Sequence, residues 1–408
     1  MANYEIKDGV GIIPDGETTV ANLAFSRCEE LTKVIIPEGV TTIGREAFKD
    51  CKNLISVEIP SSVTSIYALA FAGCRALKSI TIPKNLSMIG LQAFDGCGAL
   101  TSIVVEEGNF MYDSRNNCNA IIKSATNTLI RGCCNTTIPE NIEEIDSYAF
   151  SGCTGLTTIA IPEGVKKIGK YAFFGCGELT NITIPKSVTE ISKDGVFSHC
   201  KSLTSIVVEE GNSIYDSREN CNAIIKSGNT LVAGCSNSVI PNGVETLGYG
   251  AFSGCETLKS IVIPDSVTEI GAYAFEGCTA LTEVVIHDSV EYIEEGAFSN
   301  SGLTSIEVPE TVKNLNGVFC GCENLKTATV KGKLDDYRAD CVFPFKDCPA
   351  LETLTFLDCV RYIKEERCNG CKSLKNIFVP AKKGDYYKKR FVEELHPLIV
   401  ELEVKKKK

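Results

Sequence analysis

The chain has no tryptophan, only three histidines and only three methionines. His199, His287 and His396 fall in different repeats, so they assemble neither a catalytic triad nor a metal cluster. No apolar run is long enough to span a bilayer. A basic excess is also missing: 41 Lys and Arg face 52 Asp and Glu, a net charge of −11. That balance argues against a nucleic-acid partner, because neutralising phosphates needs a basic track. Neither a G-x-S-x-G in a strand-to-helix setting nor a phosphate-binding G-x-x-x-x-G-K-S/T occurs. Carboxylates are many but scatter over turns, as at Glu38, Glu163 and Asp265. The expectation is a non-enzyme with no metal and no cofactor. The opening residues Met-Ala-Asn-Tyr-Glu-Ile-Lys-Asp contain no apolar signal region, so the chain is either made without a signal peptide or begins after one.

What the chain has is repetition. The segment L-x-x-I-x-I-P-x-x-V-x-x-I-G-x-x-A-F-x-G-C recurs about every 23 residues, as from Leu54 to Cys74, Leu77 to Cys97 and Leu258 to Cys278. Pro14, Pro37, Pro60 and Pro83 are each 23 apart, and Pro139, Pro162 and Pro185 keep the same interval. The gaps from Pro83 to Pro139 and from Pro185 to Pro241 are both 56, one repeat plus a 33-residue unit. Pro37, Pro139 and Pro241 are 102 apart, which marks duplication of a block of repeats. After Leu325 the spacing loosens.

Each slot has a physical reading. In Leu77-Lys-Ser-Ile-Thr-Ile82 the apolar residues alternate with Ser79 and Thr81, the period of a half-buried strand. The proline that follows has no N–H and ends strand pairing. Val63 and Ile66 fill the same core from the next side, Ala70-Phe71 begins a tight bend with Phe inward, and Gly-Cys turns back. One such coil cannot bury its apolar edge alone, but a stack of coils can. About sixteen strand slots at ~4.8 Å spacing give a curved solenoid roughly 75 Å long with a parallel sheet on one face.

These residues resemble the BspA-like, or Treponema-type, branch of leucine-rich repeats, from about Pro14 to Pro380. The resemblance implies a strand-dominated α/β solenoid over residues 1–380. Residues 381–408 would follow as a cap helix, a last strand and a basic tail. It further implies a surface or secreted protein of adhesive or protein-binding type.

Two longer units, near 106–138 and 209–240, match each other: Val105-Glu-Glu-Gly-Asn-Phe-Met-Tyr-Asp-Ser-Arg-Asn-Asn-Cys118 against Val208-Glu-Glu-Gly-Asn-Ser-Ile-Tyr-Asp-Ser-Arg-Glu-Asn-Cys221. Each is followed by a hairpin pattern, Ala120–Lys123 with Thr128–Arg131 and Ala223–Lys226 with Thr230–Val232. They look like the longer N-x-x-Y-x-S variant of the family repeat. One reading is a wider coil closed by Tyr112 and Tyr215. The other is a ligand ledge exposing Asp113, Arg115, Asp216 and Arg218. The acids around each insert match no dedicated calcium loop.

Of 21 cysteines, twelve sit in the G-C slot, which predicts an inward ladder of mostly free thiols whose parallel side chains are poorly aimed for disulfides. Cys118 with Cys133 or Cys134, and Cys221 with Cys235, are candidate insert disulfides. Cys368-Asn-Gly-Cys371 has C-x-x-C spacing but neither a second ligand pair nor a βαβ setting. From Gly384 to Pro397, Tyr387, Phe391 and Leu395 recur on one helical face, which predicts a capping helix. Leu398–Val404 would add a last strand.

Solenoids bind through extended faces. The outward strand positions include Ser79, Ser102 and Ser205 in one stripe, and Glu58, Thr81, Val104, Thr183 and Val207 in another. The stripes are small, β-branched and poor in aromatic or Arg anchors. The candidate binding residues are those five with Tyr112, Asp113, Tyr215 and Asp216. The expected partner is a protein, a host-matrix or cell-surface protein among the options, held by a monomer without membrane insertion. An intracellular scaffold and a glycan-acting enzyme using the inserts are the alternatives.

Overall fold

The computed structural model describes residues 4–334, 342–358 and 368–403. Its coils form two compact units, Met1–Leu203 with Val208–Ile214, and Thr204–Val207 with Tyr215–Lys408.

In the first unit the L-x-x-I-x-I segments are parallel strands. Val10–Ile12, Lys33–Ile35 and Ser56–Glu58 lie side by side, with Glu5–Lys7 antiparallel at the edge. Ser79–Ile82 pairs in register with Ser102–Val105, Ile80 beside Ile103 and Thr81 beside Val104. The alternation does what its period predicts: Ile80 and Ile82 are buried while Ser79 and Thr81 face solvent. Proline then starts a turn in which its carbonyl accepts from the Val or Leu three residues on, as in Val63 N–H to Pro60 O at 3.1 Å.

The V-x-x-I-G segment forms a second parallel ladder, Thr19–Val20, Thr42–Ile43, Ser65–Ile66 and Met88–Ile89. The third side is the Ala-Phe bend, whose amides also bond from coil to coil. Phe48 N–H donates to Ala70 O and Phe71 N–H to Ala93 O, both at 2.8 Å. The bend requires left-handed backbone at two places, shown by Leu69 (φ 59°) and Gly73 (φ 75°). Each of these coils is therefore three-sided, with backbone bonds running from coil to coil.

The inserts widen a coil without leaving the stack. Tyr112–Asp113, Ala120–Lys123 and Thr128–Gly132 form an antiparallel meander. Its last strand runs parallel to Glu144–Ile145 and so starts a new ladder that continues through Lys167–Ile168 and Glu190–Ile191. In the second unit Tyr215–Asp216, Ile224–Lys226 and Thr230–Ala233 repeat the arrangement and lead to Thr246–Leu247. Both expected hairpins are present, and the Tyr-Asp pair adds a third strand to each.

The second unit ends in five parallel strands, Ser305–Val308, Thr327–Val330, Thr353–Phe356, Asn376–Val379 and Ile399–Glu401. The cap departs from the expected single helix over Gly384–Pro397. An α-helix covers Gly384–Lys388 and a 3-10 helix Glu393–Leu398. Packing sets these lengths. Tyr387 is fully buried against Phe356, with ring centroids 5.4 Å apart, and its hydroxyl donates to Asp358 O at 2.6 Å. Phe391 is also buried, and the Arg390 and Phe391 amides both donate back to Tyr387 O, which tightens the chain there. Glu401 accepts from the Gly384 and Lys382 amides at 2.7 and 2.8 Å and fixes the helix start to the last strand. Val404 and the basic tail lie outside the described residues.

Candidate interaction surfaces and inserted units

The inward slots form three continuous columns of stacked rings, two in the first unit and one in the second, Phe150, Phe173 and Phe197 making the shortest. Phe25, Phe48, Phe71 and Phe94 stack with centroids 5.0–5.4 Å apart and rings nearly parallel. In the second unit Phe252, Phe275, Phe298, Phe319 and Phe345 do the same. Beside each column runs the cysteine ladder. The thiol of one coil donates to the Phe carbonyl of the coil before it: Cys51 to Phe25 O at 3.0 Å, Cys74 to Phe48 O at 3.1 Å, Cys278 to Phe252 O at 3.2 Å. A thiol is a weak donor that otherwise packs as a small apolar group, which suits a slot that is dry but faces a carbonyl. Burial pushes the thiols of Cys51, Cys97 and Cys153 up to about 12. They are therefore neutral and unreactive. Cys371 is one more rung, donating to Phe345 O at 3.0 Å, which accounts for one half of the C-x-x-C pair. Every cysteine among the described residues is a free thiol, the insert cysteines included.

The insert motif resolves into a latch. Asn109 uses all four of its amide bonds. It donates to Pro83 O and Leu86 O, and accepts from the Met111 and Tyr112 amides, at 2.9–3.0 Å. Tyr112 is buried, and its hydroxyl accepts from Ile89 N–H at 3.1 Å. Ser114 accepts from Val105 N–H at 2.8 Å. Asp113 and Arg115 form a two-pronged pair at 2.6 and 2.7 Å, and Ser124 donates to the same carboxylate at 2.6 Å. Burial pushes the Asp113 carboxyl up, but those partners outweigh it and hold it below the ordinary range. Asp216 pairs with Arg218 in the same way, and that guanidinium lowers its carboxyl. Both pairs are half-buried and internally satisfied. The two asparagines, Asn109 and Asn212, which open the N-x-x-Y-x-S motif, carry it structurally. Their fixed place before the Tyr in both inserts is the sequence signal for that role.

The outward strand residues stand in solvent. Glu58, Thr81 and Thr183 are exposed, and Val104 is 47% exposed. Glu58 meets Lys33 at 2.7 Å, a surface pair of small energetic weight. In the second unit Val207, Val262 and Val285 are exposed by 45%, 78% and 66%. A residue passed over in the sequence, Phe110, follows strand Ser102–Val105 and is 73% exposed. Its counterpart in the other insert is Ser213, which marks the position as outward-facing. Among the described residues no group of three or more His, Cys, Asp or Glu side chains is placed to hold a metal ion, and no helix is long and apolar enough to cross a membrane.

The repeating slots, the phase of both inserts and the buried Phe and Cys columns agree with one repeat class. A family model described as BspA type leucine-rich repeat region matches residues 11–122, 130–229, 232–343 and 303–395. The chain belongs to this family. Solved structures resemble it along most of its length. One is a leucine-rich cell surface protein from Faecalibacterium prausnitzii, with 25% identity, 92% of this chain and 87% of that one covered, and a TM-score of 0.54. A leucine-rich repeat protein from Eubacterium ventriosum gives 24% identity, 91% and 86% coverage, and a TM-score of 0.54. The pneumococcal vaccine antigen PcpA gives 20% identity, 95% and 85% coverage, and a TM-score of 0.51, a likeness of fold. No protein with a curated description matches the chain.

Proposed function

We propose that this BspA-type chain is a non-catalytic scaffold that holds another protein against its outward strand face at a cell surface. The observation that carries the reading is the exposure of apolar and β-branched side chains in the strand slots, Val104 in the first unit and Val262 and Val285 in the second. Nothing in the packing of the coil needs an apolar group there, since Thr81 and Thr183 serve equivalent positions in solvent. Phe110 adds an exposed aromatic, the residue type that most often anchors an interface. The surface location is supported by the Faecalibacterium protein, described as a cell surface protein and similar over nine-tenths of this chain.

Adhesion to immobilised extracellular-matrix proteins tests this reading. Thr81→Arg with Val104→Arg, Val285→Arg and Phe110→Ala should each weaken binding, the anchor substitution by about tenfold or more. Binding unchanged in all three would remove the strand face from the account. A second reading, an intracellular interaction scaffold, is favoured by the free thiols, which suit a reducing compartment. Fractionation of the native cells separates the two.

A further inference from the structure

An opening lies beside the first insert. Phe94 ends one ring column and Phe150 begins the next. In between, the insert offers Gly132, where a Cβ would lie 2.2 Å from the Phe150 ring. Beside this break, within the first unit, is a cleft of about 460 Å³. It is bounded by the bend Gly90–Asp95, the hairpin strands and the stretch Asp146–Tyr148. Its size falls in the range of small-molecule sites.

Arg131 lies in the wall of this cleft and is 3% exposed. One terminal nitrogen donates to Tyr148 O and Ser151 O at 3.2 and 3.0 Å, and the other lies 3.6 Å from Cys153 Sγ. Its Nε–H has no partner among the described residues. In the same wall one carboxylate oxygen of Asp95 is buried without a partner, while the other accepts from Gln92 at 3.4 Å. A buried polar atom left unpaired has lost its water without gaining a partner. The fold does not demand these groups. In the second block the slots of Asp95 and Arg131, counted from the neighbouring Phe and Cys, hold Ser198 and Ala233. Both charged groups are absent there together.

We propose that this cleft binds a neutral pyranose sugar, held by Arg131 and Asp95 against the Tyr148 ring. The charges choose the class. Lys123 and Arg131 stand with Asp95, Glu144 and Asp146 around one opening, so a bare anion meets three carboxylates and a bare cation meets a buried guanidinium. A hydroxyl both donates and accepts, and neighbouring sugar hydroxyls answer the Nε–H and the carboxylate oxygen at once. The aromatic wall continues beyond the cleft, with Tyr171 5.5 Å from Tyr148 and Phe174 5.5 Å from Tyr171, which gives an apolar ledge for a second ring. The site is separate from the strand face, and its test is independent of the protein-binding reading.

The experiment is ligand-observed NMR and calorimetry on the full chain. The probes are the methyl glycosides of glucose, galactose, mannose and N-acetylglucosamine, with N-acetylneuraminic acid and glutamate as charged controls. At least one neutral glycoside should bind with millimolar affinity. Asp95→Ser with Arg131→Ala, the residues of the second block, should weaken that binding about tenfold or more while leaving thermal unfolding cooperative. Should the double variant not fold, Asp95→Asn and Tyr148→Ala carry the same expectation. The proposal is overturned if no neutral glycoside binds, if only the charged controls bind, or if the folded variants bind as the parent does.

Discussion

At the scale of single residues, the repeat is explained by what each inward atom meets. The Cys slot was legible as inward from its phase alone. Its acceptor, the Phe carbonyl of the preceding coil, was not, because spacing says nothing of which backbone group faces a side chain. The two rungs that follow inserts show the rule by breaking it. Cys153 and Cys255 reach only Gly132 O and Gly234 O, at 3.6 and 4.0 Å, because the insert places Gly where an ordinary coil has Phe. The Phe column carries the larger packing energy. Phe71 is fully buried, 5.0 Å from Phe48 and 5.4 Å from Phe94. Phe71→Ala should destabilise the first unit by about 3–5 kcal/mol, measured as a fall in urea midpoint. A change under about 1 kcal/mol would mean the rings are not a packed column.

At the scale of elements, the strands with four alternating residues were legible and the two-residue strands of the second ladder were not. Two residues are too few to show a period, and their pairing is supplied entirely by the neighbouring coils. The cap was legible as apolar residues at helical spacing, but its length was not. Five residues do not hold a helix alone, so the contacts of Tyr387 and Glu401 decide where it ends. The cysteine ladder also acts as an element, with a consequence for pH. Its thiols are raised by burial from 9.0 to about 12 at Cys51, Cys97 and Cys153. The folded chain keeps these protons after the unfolded chain has lost them. Their stabilisation is complete below the unfolded value and is lost as pH rises from about 9 towards about 12. Each such thiol gives a slope of about 1.4 kcal/mol per pH unit in that window. Urea midpoints should therefore fall steeply between pH values of about 9 and about 11, and less steeply in Cys97→Ala. Equal slopes in parent and variant would contradict the buried neutral thiol.

At the scale of the whole chain, the fold was legible because one sentence is written many times and each copy constrains the rest. The binding residues were far less so. Thr81, Val104 and Thr183 face solvent, where neither packing nor hydrogen bonding dictates the residue, so their pattern carries little information about a partner. Arg131 and Asp95 were invisible for a different reason. Arg131 lies in an insert and Asp95 in a slot where the repeat specifies no residue, and only the three-dimensional wall brings them to one opening. The central claim is that the recurring slots point inward in both units. Site-resolved alkylation of the native chain, read by mass spectrometry, tests it most directly. Cys51, Cys74 and Cys97 in the first unit, and Cys255, Cys278 and Cys322 in the second, should stay unmodified until denaturant is added, while the half-buried Cys28 and Cys134 react first. Labelling of those six rungs in the folded chain as fast as in denaturant would contradict the stacked interior.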